Sequence, residues 1–409
     1  MLKELSKEFP GLKEKINGKK IVYLDNACSV LKMKSSCEAQ TEYLLKYGSC
    51  AGKRSTHFLS QNAEGKFYEA RKRIAGFIGA EPGEVVFVSG ATEGFNLAAN
   101  SFPFKNGDEV LLSALEHNSV FLPFNRFYAE KKIKLGIIPL KNFYPDFEKF
   151  KKMLNSRTRL LCLTASSNIF GGLTEYGKFI KEAKRTGCAV MLDCAQYAPT
   201  HRLDAYGTGA DILAFSGHKL GAPFGTGVLY IKKDIMREMR SSKLGGGTVK
   251  NVELKAGFPH VELLQSQFSF EAGIQNYSGA FALCRAMELL NNAGYDKIRK
   301  HVSGLVSYAE AELGKIKEIK ILGSGLERGA LISFSPLSKK FSLPDFSLYM
   351  SEEYPGGVAA FRCGRLCSDL ACLYSRITGV VRISFYVYNT EKDVNVFVSG
   401  LKKYIDLTK

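Results

Sequence analysis

From residue 85 to residue 231 the chain repeats one rhythm: a short apolar run, then a stretch whose apolar positions recur at helical spacing. The runs at 85–88, 109–113, 135–139, 160–164, 189–192, 212–215 and 227–231 read as strands. Amphipathic spacing near 93–101, 120–131, 146–154 and 176–186 reads as helices between the earlier runs. A parallel strand pair needs a crossover, and a helix supplies one. The pattern therefore predicts an α/β domain on a mostly parallel, seven-stranded sheet. Ligands of such sheets bind beyond the C-terminal ends of the strands.

After Gln275 the pattern changes. Helical periods reach residue 291 and then run over 296–313, followed by short strands near 330–334 and 380–385 and a last helix over about 391–404. This predicts a smaller α+β domain. The expected organisation is an N-terminal arm at 1–20, a large α/β domain at 21–265 and a small domain at 266–409. Gly245-Gly246-Gly247 marks a flexible turn ahead of that junction.

Composition narrows the class. The 409 residues are 45% hydrophobic, enough for a large core and for two domains. No run approaches the roughly 18 apolar residues of a membrane span. The start, Met1-Leu2-Lys3-Glu4-Leu5, alternates charge without an apolar signal core. A cytoplasmic protein is expected. Its 10 cysteines form no Cys-x-x-Cys pair and mostly sit within apolar patterns, so neither disulfides nor a bound metal are expected. The net charge of +17 suits an RNA or an acidic partner, yet the basic runs are short, interrupted by acids and not interleaved with aromatics. A basic solvated surface is the simpler reading.

The chemistry gathers at five strand ends. Ser89-Gly90-Ala91-Thr92-Glu93-Gly94 follows the first run and opens a helix, where small residues such as Ala91 and the Thr92 hydroxyl admit an anion to free N–H groups. The same residues also make an ordinary helix cap. His117 follows 109–113 and offers a flat ring to stack, and Asn168 follows 160–164. Asp193 closes 189–192, with Gln196 three residues on, and Ser216-Gly217-His218-Lys219 follows 212–215. Alone, each has a plain alternative: a strand cap, a solvated lysine, a surface histidine, a turn residue. Together, Lys219 supplies an amine for an aldehyde and Asp193 an anion for a ring nitrogen, as pyridoxal phosphate requires. Gln196 can bond the phenolic oxygen of that cofactor, and Ser216 and His218 its phosphate.

As a set these motifs resemble those of the class-V aminotransferase family of fold-type-I pyridoxal phosphate enzymes. The resemblance is strongest to the Suf-type (group II) cysteine desulfurases and selenocysteine lyases. It begins at Tyr23-Leu24-Asp25-Asn26-Ala27 and runs to the C-terminus, including Phe270-Glu271-Ala272-Gly273 and Arg362-Cys363-Gly364-Arg365-Leu366-Cys367. The last motif points to desulfurases. The resemblance implies that Lys219 carries the cofactor and acts as base, that His117 stacks on the ring, and that the Cys367 thiolate attacks the sulfur of L-cysteine. A persulfide on Cys367 and alanine are the implied products. Ala27, Asn168, Arg362 and Arg382 fall at the family's substrate positions. Arg382 lies in an otherwise apolar strand, where a charge is costly unless paired and a guanidinium can grip a carboxylate.

A homodimer and a sulfur-acceptor protein serving iron–sulfur assembly, or thiolation of tRNA or a cofactor, are the implied partners. Selenocysteine lyase, another class-V lyase or aminotransferase, and a non-catalytic sulfur-carrier partner are the alternatives. Two departures stand out. Ile274 replaces the hydroxyl residue that family members extend to the neighbouring subunit's phosphate, leaving Gln275 or a backbone N–H to substitute. Cys28 and Cys50 stand in segments that approach the site mouth, either as ordinary small residues or as thiols that relay sulfur or join Cys367 around a metal.

Overall fold

The computed structural model describes residues 2–16, 18–50 and 56–409. All seven expected strands form one sheet, in the order Val85–Val88, Gly227–Ile231, Ile212–Ser216, Ala189–Asp193, Thr158–Thr164, Glu109–Ser113, Lys134–Ile138. Gly227–Ile231 runs antiparallel to both neighbours, and the other pairs are parallel. The connection from Ser216 to Gly227 contains only a single 3-10 turn, too little for a crossover helix, so the chain returns antiparallel. Every residue of Val85–Val88, Ala189–Asp193, Ile212–Ser216 and Gly227–Ile231 is buried, as in a sheet covered on both faces.

This topology brings Val88, Ser113, Thr164, Asp193 and Ser216 to one edge of the sheet. Gly227 pairs with both Val88 and Ser216, and Thr164 pairs with Asp193. Close packing there depends on glycine: a Cβ on Gly227 would come within 2.7 Å of the Gly90 Cα.

A second, antiparallel sheet orders Ile319–Ile321, Leu331–Pro336, Val380–Ser384 and Arg362–Gly364. Helices Tyr295–Leu313 and Glu391–Leu407 accompany it, as the C-terminal pattern implied. Lys19–Tyr23 crosses to pair in parallel with Val358–Ala360, tying the N-terminal segment to the C-terminal region. Asp25 continues that tie by bridging to Ser384.

Three features had not been assigned from the pattern. Helices Lys34–Tyr47 and Phe58–Phe77 pack against Tyr277–Ala293. Arg71 and Glu271 form a fully buried pair, with Arg71 Nη1–Glu271 Oε1 at 2.9 Å and the Phe87 N–H donating to the same carboxylate at 2.7 Å. Glu271 of the Phe270-Glu271-Ala272-Gly273 motif is thus bound into the interior. Finally, Val249–Lys255 and Phe258–Leu263 form an antiparallel hairpin. Val252 and Leu254 share one face of it with Val261, at 56%, 76% and 48% exposure.

Candidate active site

Lys219 ends the Gly217–Lys219 turn and is half-buried. Desolvation lowers its pKa, the nearby Asp193 carboxylate opposes that, and the Arg382 guanidinium adds to it. Cys28 and Cys367 act on the same amine. Asp193 is buried at its strand end and accepts one hydrogen bond from the Ala195 N–H, 2.8 Å. Burial raises its pKa, against the pull of that N–H and of Lys219.

His117 caps the helix Asn118–Ala129, its Nδ1 accepting from the Ser119 N–H at 3.1 Å. Because Nδ1 accepts, Nε2 carries the proton of the neutral ring. Burial, then Lys219, then Arg382 push its pKa down to about 4. His117 is therefore a neutral, flat surface near neutral pH.

The first strand end builds an anion cradle. The Ala91 N–H donates to Ser216 Oγ at 2.8 Å, which leaves the Ser216 hydroxyl proton available as a donor. Thr92 Oγ1 lies 2.7 Å from Ser119 Oγ, joining two strand ends. Across the turn, His218 Nδ1 is buried without a hydrogen-bond partner among the described residues. Burial, Lys219 and Lys32 depress the His218 pKa to about 4, so this ring is neutral too.

On the opposite side, Arg362 and Arg382 face each other in register on neighbouring strands. Both grip Asp25: Arg382 Nη2 at 3.1 Å, Arg362 Nε and Nη2 at 3.0 and 2.9 Å. Arg382 is 3% exposed and its Nε has no partner among the described residues. Two guanidinium groups against one carboxylate leave a net positive charge, and a small anion would complete the balance. The Ala27 N–H donates to Ser384 Oγ at 2.8 Å, and its carbonyl accepts from Gln196 Nε2 at 2.7 Å. Ala27 and Gln196 thus sit at one junction.

Cys367 is exposed on a strained loop. Leu366 and Cys367 both take left-handed backbone angles, φ 57° and 55°, without being glycine. Such residues cost about 1–2 kcal/mol each and persist only where neighbours hold them. Here the holders are named. The Asn118 N–H donates to the Cys367 carbonyl at 2.8 Å and Asn168 Nδ2 to the Leu366 carbonyl at 2.9 Å. Ser368 Oγ donates to Asn168 Oδ1 at 2.8 Å, and Asn168 also accepts Arg382 Nη1 on its backbone carbonyl at 2.8 Å. Asn168 thus braces the Cys367 loop against the arginine. The loop's main chain is tied down while its thiol stays open to solvent.

The remaining sequence candidates are more dispersed. Cys28 is half-buried within reach of Lys219, Arg362 and Arg382. Cys50 is exposed, and Arg54 of the neighbouring Arg-x-x-His stretch lies outside the described residues. Ile274 is 74% exposed and lines a cavity with Ser89, Glu93, Lys243 and Gln275. Among the described residues, no three His, Cys, Asp or Glu side chains converge as a metal site would need.

Sequence reasoning gave no role to Asn118, Ser119, Lys32 or Glu116. The first two stand beside His117 in the same strand-end motif, which was the available signal. Glu116 is buried, accepting from Ser113 Oγ at 2.5 Å and the Thr164 N–H at 2.8 Å, with Oε2 unpartnered among the described residues. Burial pushes its pKa up to about 8. Between the ordinary carboxyl value and pH 8, the folded state holds a proton that the unfolded state has lost. Stability due to Glu116 therefore falls as pH rises through that window. Glu116→Gln, which mimics the protonated form, is expected to flatten this fall by roughly 1–3 kcal/mol between pH 5 and 8. Urea unfolding at several pH values checks it, and parallel curves for the two proteins would refute it.

The donor set fits pyridoxal phosphate: an amine, an opposing carboxylate, a flat neutral ring, a cradle at Ala91 and Ser216, and an orphaned imidazole nitrogen on His218, two residues after Ser216. When bound, that cofactor holds its aldehyde on an amine and draws off electrons from the substrate α-carbon. The chain belongs to the class-V aminotransferase family, which it matches over residues 22–397. Its full-length relatives within that family include cysteine desulfurases. A probable cysteine desulfurase of Borreliella burgdorferi is 34% identical, covering 99% of this chain and 96% of the relative. A cysteine desulfurase of Wigglesworthia glossinidia brevipalpis is 33% identical, covering 98% and 97%. The apo cysteine desulfurase of Thermococcus onnurineus superposes with a TM-score of 0.90 at 30% identity, covering 99% and 98% of the two chains.

Proposed function

We propose that this chain takes sulfur from L-cysteine, leaving it as a persulfide on Cys367 and releasing L-alanine, with pyridoxal phosphate held by Lys219. One observation carries the reading: an exposed thiol on a strained loop, anchored by Asn118 and Asn168 to the strand ends that surround Lys219. Arg382 and Arg362 bind the substrate carboxylate with the positive charge that Asp25 leaves uncancelled. Lys219, already lowered in pKa, removes the α-proton, and His117 stacks as a neutral ring. The Cys367 thiolate bonds to the substrate sulfur as the sulfur–carbon bond breaks. That bond's electron pair stays with the three-carbon fragment, which takes up one proton at the β-carbon and regains the α-proton from Lys219 to become alanine. Asp193 balances the ring nitrogen, Gln196 bonds the phenolic oxygen, and Ala91, Thr92, Ser216 and His218 hold the phosphate. An acceptor protein then takes the persulfide sulfur, for iron–sulfur assembly or thiolation of tRNA or a cofactor.

The test is product analysis of the purified protein with L-cysteine and a reductant. Equal alanine and sulfide support the reading. Pyruvate, or consumption of a 2-oxo acid, moves it to a lyase or an aminotransferase. No described helix is long and apolar enough to cross a membrane.

We also read the chain as a homodimer. Val252, Leu254 and Val261 form an apolar hairpin face that no described residue covers, and Phe224 and Ile274 are exposed as well. A second copy covers them. Sedimentation velocity is expected to give a dimer, with Leu254→Glu shifting it toward monomer by at least about tenfold in Kd. A monomeric wild type would sink this reading.

A further inference from the structure

Lys32 has no part in the chemistry above, yet its ammonium is built into the site wall. Its Nζ donates to Ser29 Oγ at 2.9 Å, the Val30 carbonyl at 2.8 Å and the His218 carbonyl at 3.1 Å. The same ammonium sits 4.2 Å from the centre of the Phe224 ring. Phe224 in turn stacks on the His218 ring, 5.9 Å between centroids and 29° between planes. Lys32 therefore holds His218 twice, through its carbonyl and through the ring laid on it. The next residue is Lys219.

The arrangement is costly. Burial lowers the Lys32 pKa to about 8, so the protein forgoes the solvation that an exposed lysine keeps. An apolar side chain would avoid that cost but could not make the three hydrogen bonds. It would also remove one of the two cations that keep the His218 imidazole neutral. Meanwhile His218 Nδ1 is buried and has no partner among the described residues, an arrangement tolerated where a ligand completes it.

We infer that Lys32 is a positioning residue: through the His218 carbonyl and the Phe224 ring it holds the unpartnered Nδ1 of His218 as a preset donor for the phosphate of pyridoxal phosphate. The inference rests on the proposed function, since it assumes that cofactor. A neutral imidazole with a single N–H gives an anion a directed donor, and a ring free to turn would lose part of that donor's contribution on binding.

The experiment titrates cofactor-free protein with pyridoxal phosphate and follows its fluorescence, for wild type, Lys32→Met, Lys32→Arg and Phe224→Leu. Histidine-labelled NMR spectra and melting temperatures are recorded without cofactor. Lys32→Met is expected to raise the Kd about tenfold at an unchanged melting temperature. The His218 ring pKa should move up toward its ordinary value. Lys32→Arg should recover most of the affinity, because it restores the cation. Phe224→Leu, which keeps the Lys32 hydrogen bonds, should weaken binding in the same sense. A Lys32→Met protein that binds as wild type, with an unmoved His218 signal, would overturn the inference. So would a loss of affinity that tracks a fall in melting temperature and that Arg does not restore. If wild type itself takes up no pyridoxal phosphate, the functional reading fails and takes this one with it. Unchanged affinity in a variant of a binding wild type removes this inference alone.

Discussion

Cys367→Ala is expected to bind pyridoxal phosphate as wild type does and to form alanine and sulfide from L-cysteine at least roughly a thousandfold more slowly. The separation follows from where the residue sits. Cys367 is exposed, and its own tie to the cofactor side is its carbonyl on the Asn118 N–H, while Asn168 braces the neighbouring Leu366 carbonyl. Removing the thiol leaves those hydrogen bonds, the Lys219 amine and the Ala91–Ser216 cradle in place. The loop's left-handed residues also remain, so the substitution should not cost the fold. Iodoacetamide labelling and peptide mass spectrometry give the direct readout: a persulfide on Cys367 in wild type after one turnover, and none at that position in the variant. Alanine formed by Cys367→Ala at the wild-type rate would return Cys367 to the status of a loop residue and make the protein a lyase.

Lys219→Ala is expected to lose both activity, by roughly ten-thousandfold or more, and the retention of cofactor through dialysis. The Lys219 amine acts on the Asp193 carboxylate, pulling its pKa down against the effect of burial, and so pairs with the group that would balance the cofactor's ring. Burial lowers its pKa, which favours the free amine needed to hold an aldehyde and take a proton. Lys32 cannot substitute, because its three hydrogen bonds hold its ammonium on the Ser29, Val30 and His218 side. The fold should survive, since the substitution removes a desolvated charge from the site. The check is the visible absorbance of protein loaded with pyridoxal phosphate and dialysed, with product analysis beside it. Retained absorbance that resists dialysis would place the cofactor elsewhere.

Much of this architecture was legible in the chain. The seven apolar runs became the seven strands because a buried sheet leaves little choice to short aliphatic segments between helical periods. Strand ends at Ser113, Thr164, Asp193 and Ser216 followed, and with them the placement of His117, Asn168 and Lys219 at one edge. The hairpin at Val249–Leu263 was not legible. Its apolar residues face solvent within this chain, so their pattern answers to something outside the chain's own core. The helices at Lys34–Tyr47 and Phe58–Phe77 were missed for a related reason: their many polar and charged positions give only a weak amphipathic signal.

The site divides along the same line. Which groups are available, and which strand ends carry them, could be read along the chain, because residue type sets chemistry and short-range periodicity sets the local fold. Their coupling came from the three-dimensional fold. It put Arg362 opposite Arg382 on one Asp25, turned the Asn168 amide toward the Cys367 loop, left the His218 Nδ1 unpartnered, and brought Lys32 back against His218 across 186 residues of chain. Those contacts join segments far apart in sequence. Hydrogen bonds and ion pairs are selected by distance in space, and no local pattern along the chain encodes that distance.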